Sequence, residues 1–180
     1  MTMVYTTKYK SPTGQLTLSS DGTNITGLWM DGQKYFAATL DGENSTNDKL
    51  EIFTKARKWL DDYFAGNNPD VKKLPLAPKG SEFRQKVWKI LLDIPYGELI
   101  TYGDIAKKIG KSTGKAASAQ AVGGAVGHNP IGIIIPCHRV VGSGGSLTGY
   151  AGGINKKIQL LELEKVEMDG LFVPKKGTAL

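Results

Sequence analysis

The chain has 180 residues, of which 40% are hydrophobic, enough for one medium-sized core or two small ones. No apolar run is long enough for a transmembrane helix, and the first residues lack the charged start and apolar region of a signal peptide. One cysteine and two histidines exclude an internal disulfide and a standard four-ligand zinc site, so we expect a metal-free protein of the reducing cytoplasm.

The net charge of +6 is distributed unevenly along the chain. Residues 1–78 contain nine Lys or Arg and nine Asp or Glu, whereas residues 79–180 contain fourteen and eight. Charged residues usually form a solvated surface, but an excess restricted to one half of the chain fits a polyanionic partner better.

The first 75 residues predict a small antiparallel sheet followed by a helix. Three strands are predicted, over residues 3–9, 15–19 and 24–30, and Asp-Gly pairs typical of hairpin turns follow the second and third. Residues 33–40 are a candidate fourth strand. Residues 48–64 have the period of an amphipathic helix, which Gly66 is expected to end. Nothing in this part of the chain indicates chemistry.

The stretch 74–80 is the predicted linker, because two prolines and a glycine punctuate it. Ser81 is expected to cap the helix that follows it, and Thr101 with Asp104 has the spacing of a capping box. Further helices are predicted over residues 102–109, 116–127 and 156–166. The first two of these, with the turn between them, form a helix-turn-helix pattern.

The helix predicted over residues 116–127 consists largely of small side chains: Ala116, Ala117, Ala119, Ala121, Gly123, Gly124 and Ala125. Each glycine costs a helix about 1 kcal/mol relative to alanine, so two adjacent ones need a physical reason. One reason is tight packing against another helix of the protein. The other is close approach to an external partner, and the composition is compatible with both.

The only cysteine lies in the stretch 133–141, which predicts a buried strand ending at Pro136. A lone cysteine in an apolar context is usually a small core residue. Here His138 and Arg139 follow Cys137 directly, and basic neighbours are what turn a thiol into a nucleophile. Since successive side chains of a strand point to opposite faces, His138 can act on Cys137 only if the chain turns there, or through a water.

The sequence Pro136-Cys137-His138-Arg139-Val140 resembles the active-site signature of the O6-alkylguanine-DNA alkyltransferases. Three flanking stretches agree with that family in the same order, namely residues 121–125, Asn129-Pro130 and residues 149–153. The resemblance is specific from about Phe83 to Glu164. Before that region it extends only to size and strand pattern.

The resemblance implies an α+β protein of two domains. Residues 1–78 would form a ribonuclease-H-like antiparallel sheet with a helix, and residues 79–180 a mostly helical domain with a helix-turn-helix and the active-site cysteine. The implied function is DNA repair by a monomer without a cofactor. It would transfer the alkyl group of O6-alkylguanine in double-stranded DNA to Cys137, once per molecule, after flipping the base through the minor groove. O4-alkylthymine is a further candidate substrate.

The resemblance also implies five catalytic residues: Cys137 as nucleophile, His138 as base, Glu164 as its orienting acid, Asn129 as support for the loop, and Tyr102 as proton donor to the leaving guanine. Contacts to the base or the DNA are implied for Gln120, Arg84, Ser143, Tyr150, Val140 and Ala151. Gln120 departs from the family, which most often has an arginine there. Glutamine is shorter and uncharged, so base flipping is expected to be supported less strongly.

Three other classes of protein stay open on the residues. One is a DNA-binding module that recognises alkylated bases without transferring the group, although alkyltransferase-like proteins of that kind carry tryptophan at the cysteine position. Another is a cysteine hydrolase using Cys137 and His138, which leaves the glycine- and alanine-rich helix unexplained. The third is a transcription regulator in which the cysteine is structural.

Overall fold

The structure, a computed structural model, describes residues 3–176. It divides into two compact units. The first comprises the chain up to Lys79 together with residues 130–134, and the second comprises residues 80–129 and the chain from Ile135 onward. The first unit contains the main sheet and the second is mostly helical, which agrees with the predicted α+β class. None of the helices between residues 3 and 176 is long and apolar enough to cross a membrane.

A four-stranded sheet in the order β3-β2-β1-β4 forms the first unit. Its strands are β1 (Val4–Ser11), β2 (Gly14–Ser20), β3 (Ile25–Met30) and β4 (Asn44–Thr46). The first three are antiparallel, as predicted, whereas β4 pairs with β1 in parallel. The strand predicted over residues 33–40 is wrong. Tyr35 and Ala37 have φ values of 59° and 56°, a left-handed conformation that no strand allows.

Helix α1 (Glu51–Phe64) contacts β1, β2 and β3 of this sheet. Its buried face consists of Ile52, Phe53, Ala56, Trp59, Leu60 and Tyr63, which follows the predicted apolar stripe. Gly66, with φ of 83°, lies just after its last turn and supplies the left-handed conformation that commonly ends a helix. The aromatic residues of this face, Phe53, Trp59 and Tyr63, are therefore part of the core.

Two short segments cover the free edge of β3. Residues 75–77 bond to Ile25 through backbone groups, and residues 130–132 bond to Leu28, whose N–H donates to Pro130 O (2.8 Å) and whose carbonyl accepts from the N–H of Gly132 (2.9 Å). The strand predicted to lead into the cysteine is therefore wrong. Ile131 makes a single bridge, and the chain then turns with Ile133 at φ 67°. Residues 130–134 also belong to the first unit, although the predicted boundary assigned them to the second domain.

The second unit contains helices α2 (Glu82–Leu92), α3 (Tyr102–Thr113), α4 (Ala119–Gly127) and α5 (Ile154–Leu163). The predicted caps are confirmed, because Ser81 Oγ accepts from the N–H of Arg84 and Thr101 Oγ1 accepts from that of Asp104. The predicted end of α3 at Gly110 is wrong. The helix continues for another turn and ends at Gly114, whose φ of 68° is left-handed.

A two-stranded parallel pair brings the catalytic candidates together. Strand β5 (Ile100–Thr101) leads directly into α3, and β6 (Val140–Val141) directly follows the Cys-His-Arg triplet. Pairing Ile100 with Val140 places the start of α3 beside the chain that leaves the cysteine.

Candidate active site

Cys137 begins a tight 3-10 turn that extends to Arg139. The chain therefore turns at the cysteine, which is the condition under which His138 can act on its neighbour. Cys137 is 6% exposed. Asn129, which follows α4, donates from Nδ2 to the carbonyl of Ile135 (2.8 Å) and so holds the segment that delivers the cysteine.

Burial raises the pKa of the Cys137 thiol above its ordinary value, since a thiolate is poorly solvated there. A hydrogen bond from Asn129 and the charge of Lys157 oppose this increase without cancelling it. The resting group is thus a protonated thiol. A base must remove its proton when it reacts.

His138 and Glu164 form a fully buried pair, with His138 Nε2 2.5 Å from Glu164 Oε1. Burial lowers the pKa of His138 even though Glu164 opposes this, so the imidazole is neutral at rest. Burial alone would raise the pKa of Glu164, but the hydrogen bond from His138 and the hydrogen bonds and charge of Arg139 outweigh it and hold that pKa far below its ordinary value. An ionised Glu164 accepts the Nε2–H, which leaves Nδ1 as the basic nitrogen of the ring.

Arg139 holds the carboxylate from the other side. Its Nε and Nη2 donate to Glu164 at 2.8 and 3.0 Å, and its Nη1 donates to the carbonyl of Ile94 at 2.6 Å. The N–H of Gly97 also donates to Glu164 (3.1 Å). Four donors on one buried carboxylate fix its position, and through it the orientation of the His138 ring. The sequence indicates Arg139 only as a basic neighbour of the thiol and does not predict its contact with Glu164, which lies 25 residues further along the chain.

Lys157 on α5 is a functional candidate that sequence analysis missed. Its side chain is completely buried and donates to the carbonyls of Val140 and, at 3.0 Å, of Thr148. Burial lowers its pKa to about 8, against the opposing influence of Cys137. A lysine next to Lys156 on a charged helix resembles ordinary surface. Its only sequence signal is its place three residues before Leu160, on the buried face of α5.

Two tyrosines lie near the thiol. Tyr102, the first residue of α3, donates from its hydroxyl to the carbonyls of Thr148 (3.0 Å) and Gly149 (3.1 Å). Burial, and then the proximity of Cys137, raise the pKa of Tyr102, and the same two causes raise that of Tyr150. Both are therefore neutral phenols that can donate a hydrogen bond or a proton.

The outer face of α4 is thin. Ala119, Gln120, Ala121 and Gly124 are exposed, while Val122, Ala125 and Val126 are buried. A Cβ added at Gly124 would meet nothing within 4 Å, and one at Gly123 would only touch the ring of Tyr102 at 3.9 Å. Internal packing therefore does not require either glycine. These two glycines are compatible with close approach of an external partner, whereas the buried Ala125 lies on the face that packs inside the protein.

The other predicted contact residues are spread over the second unit. Arg84 lies in the first turn of α2 and is half-buried, Ser143 is exposed just after β6, and Ala151 is half-buried before α5. The carbonyl of Val140 is the one that accepts from Lys157. Between residues 3 and 176, no three His, Cys, Asp or Glu side chains are grouped to hold a metal ion.

Comparison with known proteins defines the class. The chain matches the family model of the 6-O-methylguanine DNA methyltransferase ribonuclease-like domain over residues 4–78. It matches the DNA-binding domain of the same enzymes over residues 82–166. The buried Cys-His-Glu set thus lies within the region that matches the DNA-binding domain of 6-O-methylguanine DNA methyltransferases.

Curated relatives and solved structures agree with that class. The chain is 42% identical to the methylated-DNA–protein-cysteine methyltransferase of Haemophilus influenzae over 166 residues, 92% of this chain and 89% of the relative. It is 45% identical to the Mycobacterium tuberculosis OGT crystallised in complex with DNA, with a TM-score of 0.77 over 91% of this chain and 92% of that one. A Methanococcus jannaschii O6-methylguanine DNA methyltransferase is 32% identical with a TM-score of 0.63, over 95% of this chain and all of that one. The chain belongs to the methylated-DNA–protein-cysteine methyltransferase family, which confirms the resemblance and the predicted fold class.

Proposed function

We propose that this protein repairs DNA by moving the alkyl group of O6-alkylguanine to the sulfur of Cys137. The observation that carries the proposal is the buried thiol on a tight turn, followed at once by a neutral imidazole on an ionised carboxylate. A relative of known structure was crystallised with DNA. The thin face of α4 and the positive charge of residues 79–180 fit the same partner.

The first step is removal of the thiol proton. His138 accepts it at Nδ1, because Nε2 is engaged with Glu164. The imidazolium that forms is stabilised by the adjacent carboxylate, in the manner of other base–acid pairs. Asn129 and Lys157 favour the thiolate by a hydrogen bond and by charge. Arg139 is a positioning residue that acts through Glu164.

In the transfer step the sulfur attacks the alkyl carbon, a new S–C bond forms and the C–O6 bond breaks. The bonding electrons return to the guanine ring, which takes up one proton from the neutral Tyr102 hydroxyl. Tyr102 is left as a phenolate, and the proton that His138 took from the thiol finally replaces the one that Tyr102 gave up. The products are guanine and a thioether on Cys137, and the C–S bond of a thioether is not easily cleaved. Each molecule therefore reacts once.

A base within a duplex cannot reach a buried thiol, so the alkylated nucleotide must be flipped out. We propose that α3 and α4 form a helix-turn-helix whose small outer face enters the minor groove, with Gln120 filling the vacated space. Tyr150 would pack against the base, backbone groups at Val140 and Ala151 would read its edge, and Arg84 and Ser143 would contact the DNA. Residues 79–180 are then the reactive domain and residues 1–78 the ribonuclease-like one.

We also propose that the protein works as a monomer in the cytoplasm. All proposed catalytic and DNA-contacting side chains come from one chain. A reaction that consumes a thiol needs a compartment in which thiols stay reduced.

Mass spectrometry tests the proposal directly. The purified protein is mixed with duplex DNA containing one O6-methylguanine, and peptides are then sequenced by mass. We expect one added methyl group on Cys137 and none in the variant Cys137→Ser, since a hydroxyl is a far weaker nucleophile than a thiolate. Binding without methyl gain would indicate a recognition module, and turnover without a stable adduct would indicate a hydrolase.

A further inference from the structure

The chain after α5 contains a segment that the reaction does not use. Residues 168–173, here called the C-terminal brace, run beside residues 145–147. The carbonyl of Phe172 accepts from the N–H of Leu147 at 2.8 Å, and its N–H donates to the carbonyl of Gly145 at 3.1 Å. Ser146 and Phe172 form a parallel bridge. The Phe172 side chain is 50% exposed, so its backbone makes this contact.

Apolar side chains hold the brace in place. Met168 and Leu171 pack against a small core cluster formed by Val141, Leu147, Leu161 and Val166. That cluster includes one residue of β6 and one of α5. The brace is thus attached to the two elements that carry the backbone leaving Cys137 and Lys157.

Gly145 and the brace fit closely. Gly145 has a φ of 91°, and a Cβ there would lie 2.4 Å from the carbonyl oxygen of Gly170. No residue other than glycine is accommodated there without moving the backbone. The close approach of the brace therefore requires glycine at position 145.

The result is a loop with an outward-facing tip. Gly142 donates to the carbonyl of Ser146 at 2.8 Å, which closes the loop 142–146. Ser143 and Gly144 are exposed, and Leu147 behind them is buried. Without the brace, residues 145–147 would lose two backbone hydrogen bonds, and the tip would be free to move.

We infer that the C-terminal brace positions the loop tip at Ser143 against the DNA backbone, and that it thereby supports repair in duplex DNA. This rests on the proposed function, in which Ser143 contacts DNA. The brace acts on duplex binding alone, because the free base O6-benzylguanine needs the thiol but not the loop tip. The segment is a positioning element and touches neither substrate nor Cys137.

The test compares rates with two substrates. Phe172→Pro removes the N–H that bonds Gly145, whereas Phe172→Ala keeps it and removes only the half-exposed ring. We expect Phe172→Pro to slow methyl transfer from duplex DNA by roughly three- to tenfold, the size of one lost hydrogen bond. Its rate with O6-benzylguanine should stay unchanged, and Phe172→Ala should react like the parent with both substrates.

Truncation of the chain provides a second, independent test. A chain ending at Asp169 lacks most of the brace, and one ending at Pro174 keeps it. The shorter chain should lose duplex repair while both react with O6-benzylguanine, which also shows that both are folded. Ser143→Ala should slow duplex repair in the parent but add little to Phe172→Pro, because the brace acts through that residue.

Either of two results overturns the inference: equal losses with both substrates for Phe172→Pro, or additive losses for the double variant. If the parent itself transfers no methyl group from duplex DNA, the proposed function is wrong. If only the variants depart from the expected pattern, the inference about the brace is wrong and the proposed function stands.

Discussion

Lys157 shows how one buried charge adjusts the reacting thiol. Its ammonium group favours the thiolate of Cys137, and its own pKa is lowered to about 8 by burial. Lys157→Met keeps the length of the side chain and removes the charge. We expect transfer at neutral pH to slow severalfold, because without the lysine charge the pKa of Cys137 rises and a smaller fraction of the thiol is ionised.

The pH dependence of the transfer rate distinguishes an effect of the Lys157 charge from an effect of its packing. In the parent, Lys157 loses its proton as the pH rises through about 8, so its advantage over the variant should shrink from neutral to alkaline pH. Single-turnover rates with O6-benzylguanine measure this ratio. The matched control is Lys156→Met, a change at the neighbouring, half-buried lysine that should leave the rates unchanged. A ratio that stays constant with pH would mean that Lys157 only fills space.

His138 and Glu164 are expected to act as one unit, since the carboxylate serves the reaction only through the imidazole. His138→Ala and Glu164→Gln should each slow transfer from duplex DNA. Combining them should cost little more than the larger single loss, as for other groups that work together. Single-turnover kinetics of the two single variants and the double variant decide the matter. Losses that multiply would assign Glu164 a separate, structural role.

At the scale of elements, the role that we propose for α4 in DNA binding has a cost in stability. Gly124→Ala adds a methyl group into open space, and alanine favours a helix by about 1 kcal/mol over glycine, so the midpoint of urea unfolding should rise. The same methyl group projects from the face that we propose enters the minor groove. Affinity for duplex DNA, measured by fluorescence anisotropy, should therefore fall.

Gly110→Ala is the matched control in α3, where the nearest atom to an added Cβ, the carbonyl oxygen of Lys115, is 3.7 Å away. It should stabilise the protein to a similar extent and leave DNA affinity unchanged. If Gly124→Ala stabilises the protein without weakening binding, the outer face of α4 does not enter the groove.

At the scale of the molecule, the two halves of the chain are not independent. Residues 130–134 come from the second half of the sequence, yet they bond to Leu28 and complete the first unit. A fragment ending at Lys79 should therefore unfold at a lower temperature than one in which a glycine-serine linker adds residues 130–134. The uncovered edge of β3 should also promote aggregation.

A matched fragment with the five residues in scrambled order controls for the linker. Circular dichroism and light scattering provide the melting temperature and the aggregation. Equal melting of the three fragments would mean that β3 does not depend on this segment for stability.

The sequence determined the features that depend on neighbours along the chain. Caps at Ser81 and Thr101, the strands β1 to β3 and the apolar face of α1 follow from short-range patterns, because a cap or a hydrophobic period is complete within one or two turns. The signature around Cys137 likewise indicated the family. A glycine by itself does not end a helix, since Gly110 is tolerated inside α3 and the helix ends only where Gly114 provides a left-handed residue.

Tertiary structure decided what depends on distant parts of the chain. Arg139 and Glu164 are 25 residues apart, and their contact exists only because α5 ends beside the 3-10 turn. The residue type of Lys157 indicates an exposed side chain, but in the folded protein that side chain is buried. The isoleucine run before the cysteine has a strand's composition, but β3 offers it one bridge before the chain must turn toward Cys137. Local sequence determined which elements form and which chemistry is available. Long-range packing determined the charges and hydrogen bonds around the thiol, because burial and orientation arise only when distant segments meet.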